Sequence, residues 1–341
     1  TNQNMKQLPV YNNFEEKSSF FNSTIIDTWD EYQKFIEEQK NISGIYRGIS
    51  SASYKIFTSL QREYITKELE GKFDLSDFVN SIRNHSLLKD YFKYFKIVPS
   101  KLSIYSFLQH YGAPTPFLDF TTSFEKALYF AIENYDSTQV EEDSIKDYFT
   151  IFLIKEEDYD LIEIPEVIRS LQKIKKLSIE AASGYEDYSE DLMNEHIDDI
   201  FSINTCNVFL IKHYEEFIDV YNSYNNIRII AQEGLFIHND YPDLPLEEAL
   251  KKFLENETHF IGSELDDMED IPGIAERNAE YRASLEKIRG FHRRLKQNII
   301  YSFEIKKSLI PNILKTFPFT KGDIYPEPQE IFSTIFKQSI K

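Results

Sequence analysis

Apolar residues along the chain fall into two periods, and most of the predicted elements follow from them. Trp29, Tyr32 and Ile36 recur at helical spacing after Thr28, and Thr28 with Glu31 has the spacing of a capping box, so a helix starts at Thr28. GIYRGIS reads as a strand entering a turn at Gly48, and Leu75, Phe78, Val79 and Ile82 predict a helix from Leu75 to Phe95. In YSFLQHYGAPTPFLDFTTSFEKALYFAIEN, Gly112, Pro114 and Pro116 separate two helices by a loop. Ser123 is a good N-cap for the second, whose buried stripe is Phe124, Ala127, Leu128 and Ala131. Short apolar, β-branched runs predict strands at 148–154, 207–211, 227–231, after Gly234, and at 299–305. Charged helical patterns cover 245–256 and 264–298, and another helix surrounds Ile310–Phe317.

The remaining segments lack a clear period. Residues 1–26 are polar and read as irregular, and 136–147 as an acidic surface loop. Residues 156–205 are charged, mostly helical in pattern, and read as a peripheral insertion. No repeat or low-complexity tract is present. Strands scattered among helices, without regular βαβ alternation, predict an α+β class fold. The expected architecture is a single mixed domain over 28–341 with a central, largely antiparallel sheet, preceded by a polar lead over 1–27.

Composition narrows the possibilities. The 341 residues include 28 Phe and 22 Tyr, enough bulky aromatics for a large core. Cys206 is the single cysteine, which rules out an internal disulfide and in its apolar context reads as packing. No apolar run spans a bilayer and the N-terminus lacks a signal-peptide pattern, so the expected location is cytoplasmic, with no membrane partner. A net charge of −19 argues against nucleic-acid binding. The basic cluster Arg289, Arg293, Arg294 and Lys296 reads as a solvated helix face. The seven histidines have no zinc-enzyme spacing, and there is no phosphate loop or dinucleotide fingerprint, so no metal is expected.

Four segments together resemble the FRG family. They are Tyr46-Arg47-Gly48; SLQRE with Arg62; the long QHYGAPTPFLDFTTSFEKALYFA block; and AQEGLF. The closing strand and IYPEP tail add to the likeness, which runs from about residue 28 to 335. The family usually carries Arg after Pro-Thr, where this chain has Pro116.

The order of three elements is also similar to that of ADP-ribosyltransferases of the arginine–serine–glutamate type. By that resemblance Arg47 holds NAD phosphate, Thr121, Thr122 and Ser123 support the nicotinamide pocket, and Glu233 or Gln232 serves the ribose and the transition state. NAD would then be a substrate, and the protein an effector of a toxin or bacterial-defence kind. The alternative is a non-catalytic module for a nucleotide or other small anionic ligand, recognised by Arg47, Arg62 and His110. A hydrolase using His110 and Asp119 is a third reading.

The residues themselves leave several roles open. Arg47 beside Gly48 suits a phosphate or carboxylate approaching closely, or equally a buried acid such as Asp119. His110 suits acid–base work or a neutral role bonding loop carbonyls. Asp119 can orient His110, anchor Arg47 or cap the loop. Thr121 to Ser123 can meet an anion at the helix N-terminus or cap the helix.

Overall fold

The computed structural model describes residues 6–136, 144–161, 198, 207–215, 222–255 and 298–339. Among the described residues, seven strands form one mixed sheet: β1 (Asn22–Ile26), β2 (Gly44–Ile49), β3 (Phe117–Thr121), β4 (Tyr148–Lys155), β5 (Val208–Ile211), β6 (Gly234–Asn239) and β7 (Ile300–Lys306). Their order is β1-β7-β4-β2-β3-β6-β5. Among these strands only the β1–β7 pair is parallel, so the described sheet is largely antiparallel and the fold is α+β. No described helix is long and apolar enough to cross a membrane.

Alternation along the strands divides the core. Phe152 and Ile154 of β4, Leu118 and Phe120 of β3, and Leu235 and Ile237 of β6 belong to one cluster across one face of the sheet. The opposite face carries two clusters. Phe149, Ile151 and Leu153 meet α2 (Trp29–Gln39) and α7 (Phe124–Ile132) at the β2-β4-β7 end. Phe117 and Phe236 meet α4 (Leu75–Asn84), α5 (Ser86–Tyr94) and α6 (Lys101–His110) at the other. Helix α3 (Ser59–Thr66) follows β2 and starts on a Thr58–Gln61 capping box.

Two elements carry most of the site. At α2, the Thr28–Glu31 capping box is fully formed. At α7, Ser123 accepts from the Lys126 N–H, and Ala127, Leu128 and Ala131 are buried. Gly48 explains how α7 sits so close. A Cβ built there would overlap the Ala127 carbonyl and lie 2.9 Å from the Ala131 nitrogen. The glycine therefore lets a helix lie against the strand.

Three differences from the sequence reading have physical causes. Residues 227–231 form a short helix, Ile227–Ala231, and not a strand. The Asn226 side chain accepts from the Arg228 and Ile229 N–H groups, and this cap overrides the β propensity of three isoleucines. Residues 1–26 are not wholly irregular: α1 (Phe14–Ser18) precedes β1, whose first four residues are exposed at the sheet edge and so look polar in sequence. The 75–95 helix is two helices, because His85 adopts extended backbone between α4 and α5. The predicted helix over 264–298, its Arg289–Lys296 cluster, Cys206 and most of the 156–205 segment lie outside the described residues. Within that segment, Asp198 accepts from the Lys101 backbone N–H at 2.8 Å and pairs with Arg83.

Candidate functional site

Strands β2 and β3 pair at a single position, Tyr46 opposite Thr121. Beyond it they part, and a cleft of about 450 Å³ opens on the helical face between the two clusters there. Arg47 to Ile49 of β2 and Asp119 to Thr121 of β3 form its floor. Gln109 and His110 enter from α6, Arg62 from α3, and Phe130 and Glu133 from α7 and its cap. Tyr54, Arg228, Gln232 and Tyr325 also stand in its wall. A cleft of this size suits a small molecule.

Arg47 occupies the fork. Its Nη1 donates to the backbone carbonyl of Asp119, a group that no longer faces a pairing residue of β2. Arg47 thus replaces a missing sheet hydrogen bond while its cation stays in the cleft. No carboxylate lies within ion-pair distance of Arg47 among the described residues, and its Nε has no partner there. Burial draws its pKa down to about 10; Asp119 opposes this and Arg62 adds to it. The guanidinium therefore remains charged at neutral pH. Of the two readings of Arg47, an ion pair with the Asp119 carboxylate is absent.

The long sequence block works as a polar chain. Thr115 donates to Gln109 Oε1, and Gln109 Nε2 donates to Asp119 Oδ2 at 2.6 Å. Ser59 Oγ donates to the Thr115 carbonyl at 3.3 Å and accepts from its N–H at 3.0 Å, tying the Pro-Thr loop to α3 and hence to Arg62. Asp119 is thus held by Gln109. The His110 ring packs on Phe236 with centroids 5.6 Å apart, and its Nε2 has no hydrogen-bond partner. Burial lowers its pKa, Asp119 raises it and Arg228 lowers it further, so the ring is neutral at pH 7.

The Thr-Thr-Ser segment is absorbed by the fold. Thr121 Oγ1 donates to the Gln232 carbonyl at 2.7 Å and accepts from the Ser123 N–H at 3.0 Å. Thr122 Oγ1 donates to Glu233 Oε2 at 3.2 Å, and Ser123 caps α7. Of these three residues, only Thr121 lines the cleft. Glu233 does not line it either. Its carboxylate pairs with Lys126 at 2.7 Å, and its backbone has φ 48°, a left-handed conformation that turns the chain from the short helix into β6. Gln232 does line the cleft, with Nε2 donating to the Ile324 carbonyl at 3.2 Å.

Gln109, Thr115, Glu133, Arg228 and Tyr325 are cleft or supporting residues that the sequence reading did not single out. Phe130 and Glu133 stand three apart on and just beyond α7, a helical spacing that could have marked Glu133 once Phe130 was placed. Tyr325 donates to both Glu133 oxygens, at 3.2 and 3.0 Å, and Arg228 pairs with Glu327. Both tail residues lie in the IYPEP segment, about two hundred residues away from α7 in sequence. Among the described residues no group of three or more His, Cys, Asp or Glu could hold a metal ion.

The family model for the FRG domain matches residues 43–140. That span contains β2, α3, α6, β3 and α7, and with them Arg47, Arg62, Gln109, His110, Asp119, Phe130 and Glu133. No curated protein and no solved structure matches the chain.

Proposed function

We propose that this chain, an FRG-domain protein, binds a small anionic ligand of the nucleotide kind in the cleft between β2 and β3. The observation that carries this reading is Arg47: a charged guanidinium at the cleft floor, bonded to a carbonyl and paired with no acid among the described residues. A half-buried cation without an ion-pair partner is costly, and a ligand phosphate or carboxylate relieves that cost. Arg62 supports the reading as a second arginine in the same cleft, and Arg228 as a third that is shared with Glu327. Phe130, Tyr54 and Tyr325 add aromatic surface that suits a base.

A binding module is better supported than an NAD-consuming transferase. The transferase reading rests on Arg47 and Gln232 sharing one cleft. It also asks for a carboxylate from position 233, and Glu233 is engaged by Lys126 and Thr122 outside the lining. A glutamine can bond a ribose hydroxyl but lacks the charge that stabilises an oxocarbenium-like state.

The test is thermal unfolding of wild type, Arg47→Ala and Arg47→Lys with ADP, NAD and pyrophosphate. Arg47→Ala loses one charge-assisted hydrogen bond and also a desolvated charge, so a net cost of about 1–2 kcal/mol is expected. Ligand-induced stabilisation should vanish in Arg47→Ala and weaken in Arg47→Lys, which cannot present a planar fork. A wild-type protein indifferent to all three ligands, or an Arg47→Ala protein that still responds, would overturn the proposal. Chromatography of the NAD mixture for released nicotinamide tests the transferase reading separately.

A further inference from the structure

The cleft is not simply cationic. Glu133 and Asp119 line it together with Arg47 and Arg62, yet neither acid has an ion-pair partner among the described residues. Asp119 uses one oxygen for Gln109. Glu133 receives a single hydroxyl, that of Tyr325, shared between its two oxygens. A carboxylate has about four lone-pair sites, so both acids keep acceptor capacity facing the cleft. The Gln232 amide is held by its nitrogen on the Ile324 carbonyl, which leaves its oxygen as a further acceptor.

Unpaired cations and unpaired acceptors in one cleft constrain the ligand. A bare polyanion would satisfy Arg47 and Arg62 but would meet two carboxylates of its own sign. A neutral polyol would satisfy the acceptors and leave Arg47 without an anionic partner. Only a molecule with an anionic group and several O–H or N–H donors satisfies both sets. Resting on the anion-binding reading above, we infer that the ligand is a nucleoside phosphate and that Glu133, oriented by Tyr325, recognises its ribose hydroxyls.

The construction of the fold supports this role for Glu133. It is the C-cap of α7, held by its N–H to the Tyr129 carbonyl at 2.8 Å, on the helix that Gly48 brings against β2. Tyr325 stacks edge-on against Phe130, 6.1 Å between centroids, so its hydroxyl is fixed by ring packing as well as by the carboxylate. Because that hydroxyl already donates to Glu133, the carboxylate is held toward the cleft without being neutralised. Partial burial raises the Glu133 pKa, while Tyr325 and Lys321 lower it.

Calorimetric titration of the full chain with ADP, 2′,3′-dideoxy-ADP and pyrophosphate tests the inference. Wild type should bind ADP about tenfold or more tightly than the dideoxy compound, the ratio expected for hydrogen bonds to a charged acceptor. Glu133→Gln should remove most of that preference and leave pyrophosphate binding equal or tighter. Tyr325→Phe, which keeps the ring packing, should reduce the preference less. A wild type that binds both nucleotides alike, or a preference that survives both variants, overturns the inference. If ADP binding depends on Arg47 but ignores the hydroxyls, the anion site stands and the ribose assignment fails. If neither ADP nor pyrophosphate binds, both fall together.

Discussion

At the residue scale, Gly48 and Arg47 show how adjacent positions can have unrelated causes. The aromatic-Arg-Gly run looks like one signature in sequence. In the structure Tyr46 is core, its ring 5.7 Å from Phe124, Arg47 fills the fork between strands, and Gly48 provides space for α7. Gly48→Ala isolates the last role. Its methyl group would overlap the Ala127 carbonyl, so α7 must shift away from β2, carrying Phe130 and Glu133 with it. Overpacking of this kind costs about 1–3 kcal/mol. Urea unfolding should show that loss, and nucleotide binding should weaken beyond what reduced stability explains. Unchanged stability would mean that the helix has room to yield.

At the element scale, the site depends on pieces far apart in sequence, and this decided what could be read in advance. The local signals were legible: the capping box at Thr28, the Ser123 cap, the apolar stripe of α7 and the apolar run of β4 all follow from patterns within about ten residues. Most residues singled out for chemistry in the long block also line the cleft, because β3 and the end of α6 adjoin it directly. What could not be read was the effect of partners. Thr122, Ser123 and Glu233 looked available in sequence, but Lys126 and the α7 N-terminus engage them. The short helix Ile227–Ala231 was hidden by β-branched composition, and β1 by its polar exposed edge.

The C-terminal segment offers a test at the same scale. Glu327 is the internal carboxylate on Arg228, and Tyr325 and Ile324 are bonded to Glu133 and Gln232. Glu327 therefore occupies one cation that an anionic ligand would otherwise use. Glu327→Gln should free Arg228 and tighten pyrophosphate binding several-fold, the scale of a partly exposed ion pair. Calorimetry should also show a steeper salt dependence, since another charge contact is available. Weaker binding would instead mean that Glu327 keeps the cleft open by holding the tail in place.

At the scale of the whole molecule, the N-terminal segment is part of the core and makes stability depend on pH. Tyr11 and Phe21 are buried in the large cluster, and Lys17 reaches the sheet, pairing with buried Glu304 at 3.0 Å and donating to Thr150 at 2.8 Å. Tyr11 donates to Glu247, a buried carboxylate near the start of the helix Leu246–Glu255 that also accepts from the Ile56 N–H at 3.3 Å. Burial pushes the Glu247 pKa up to about 7 from an ordinary 4.5, although Tyr11 and Ile56 lower it; Glu248, itself paired with Lys55, adds a raising contribution. A raised folded pKa means that the native state holds the proton more tightly than the unfolded chain. The stability from this group is therefore complete below pH 4.5 and is lost as pH rises toward 7. The shift corresponds to a loss on the order of 3 kcal/mol. Asp240, raised by burial to about 6, acts in the same direction. Glu247→Gln keeps an acceptor for Tyr11 but no longer titrates. Denaturant unfolding at pH 5 and pH 8 should thus show a smaller loss of stability with rising pH for the variant than for wild type. Equal losses in the two proteins would show that Glu247 stays ionised in the fold, with the Tyr11 and Ile56 hydrogen bonds outweighing its burial.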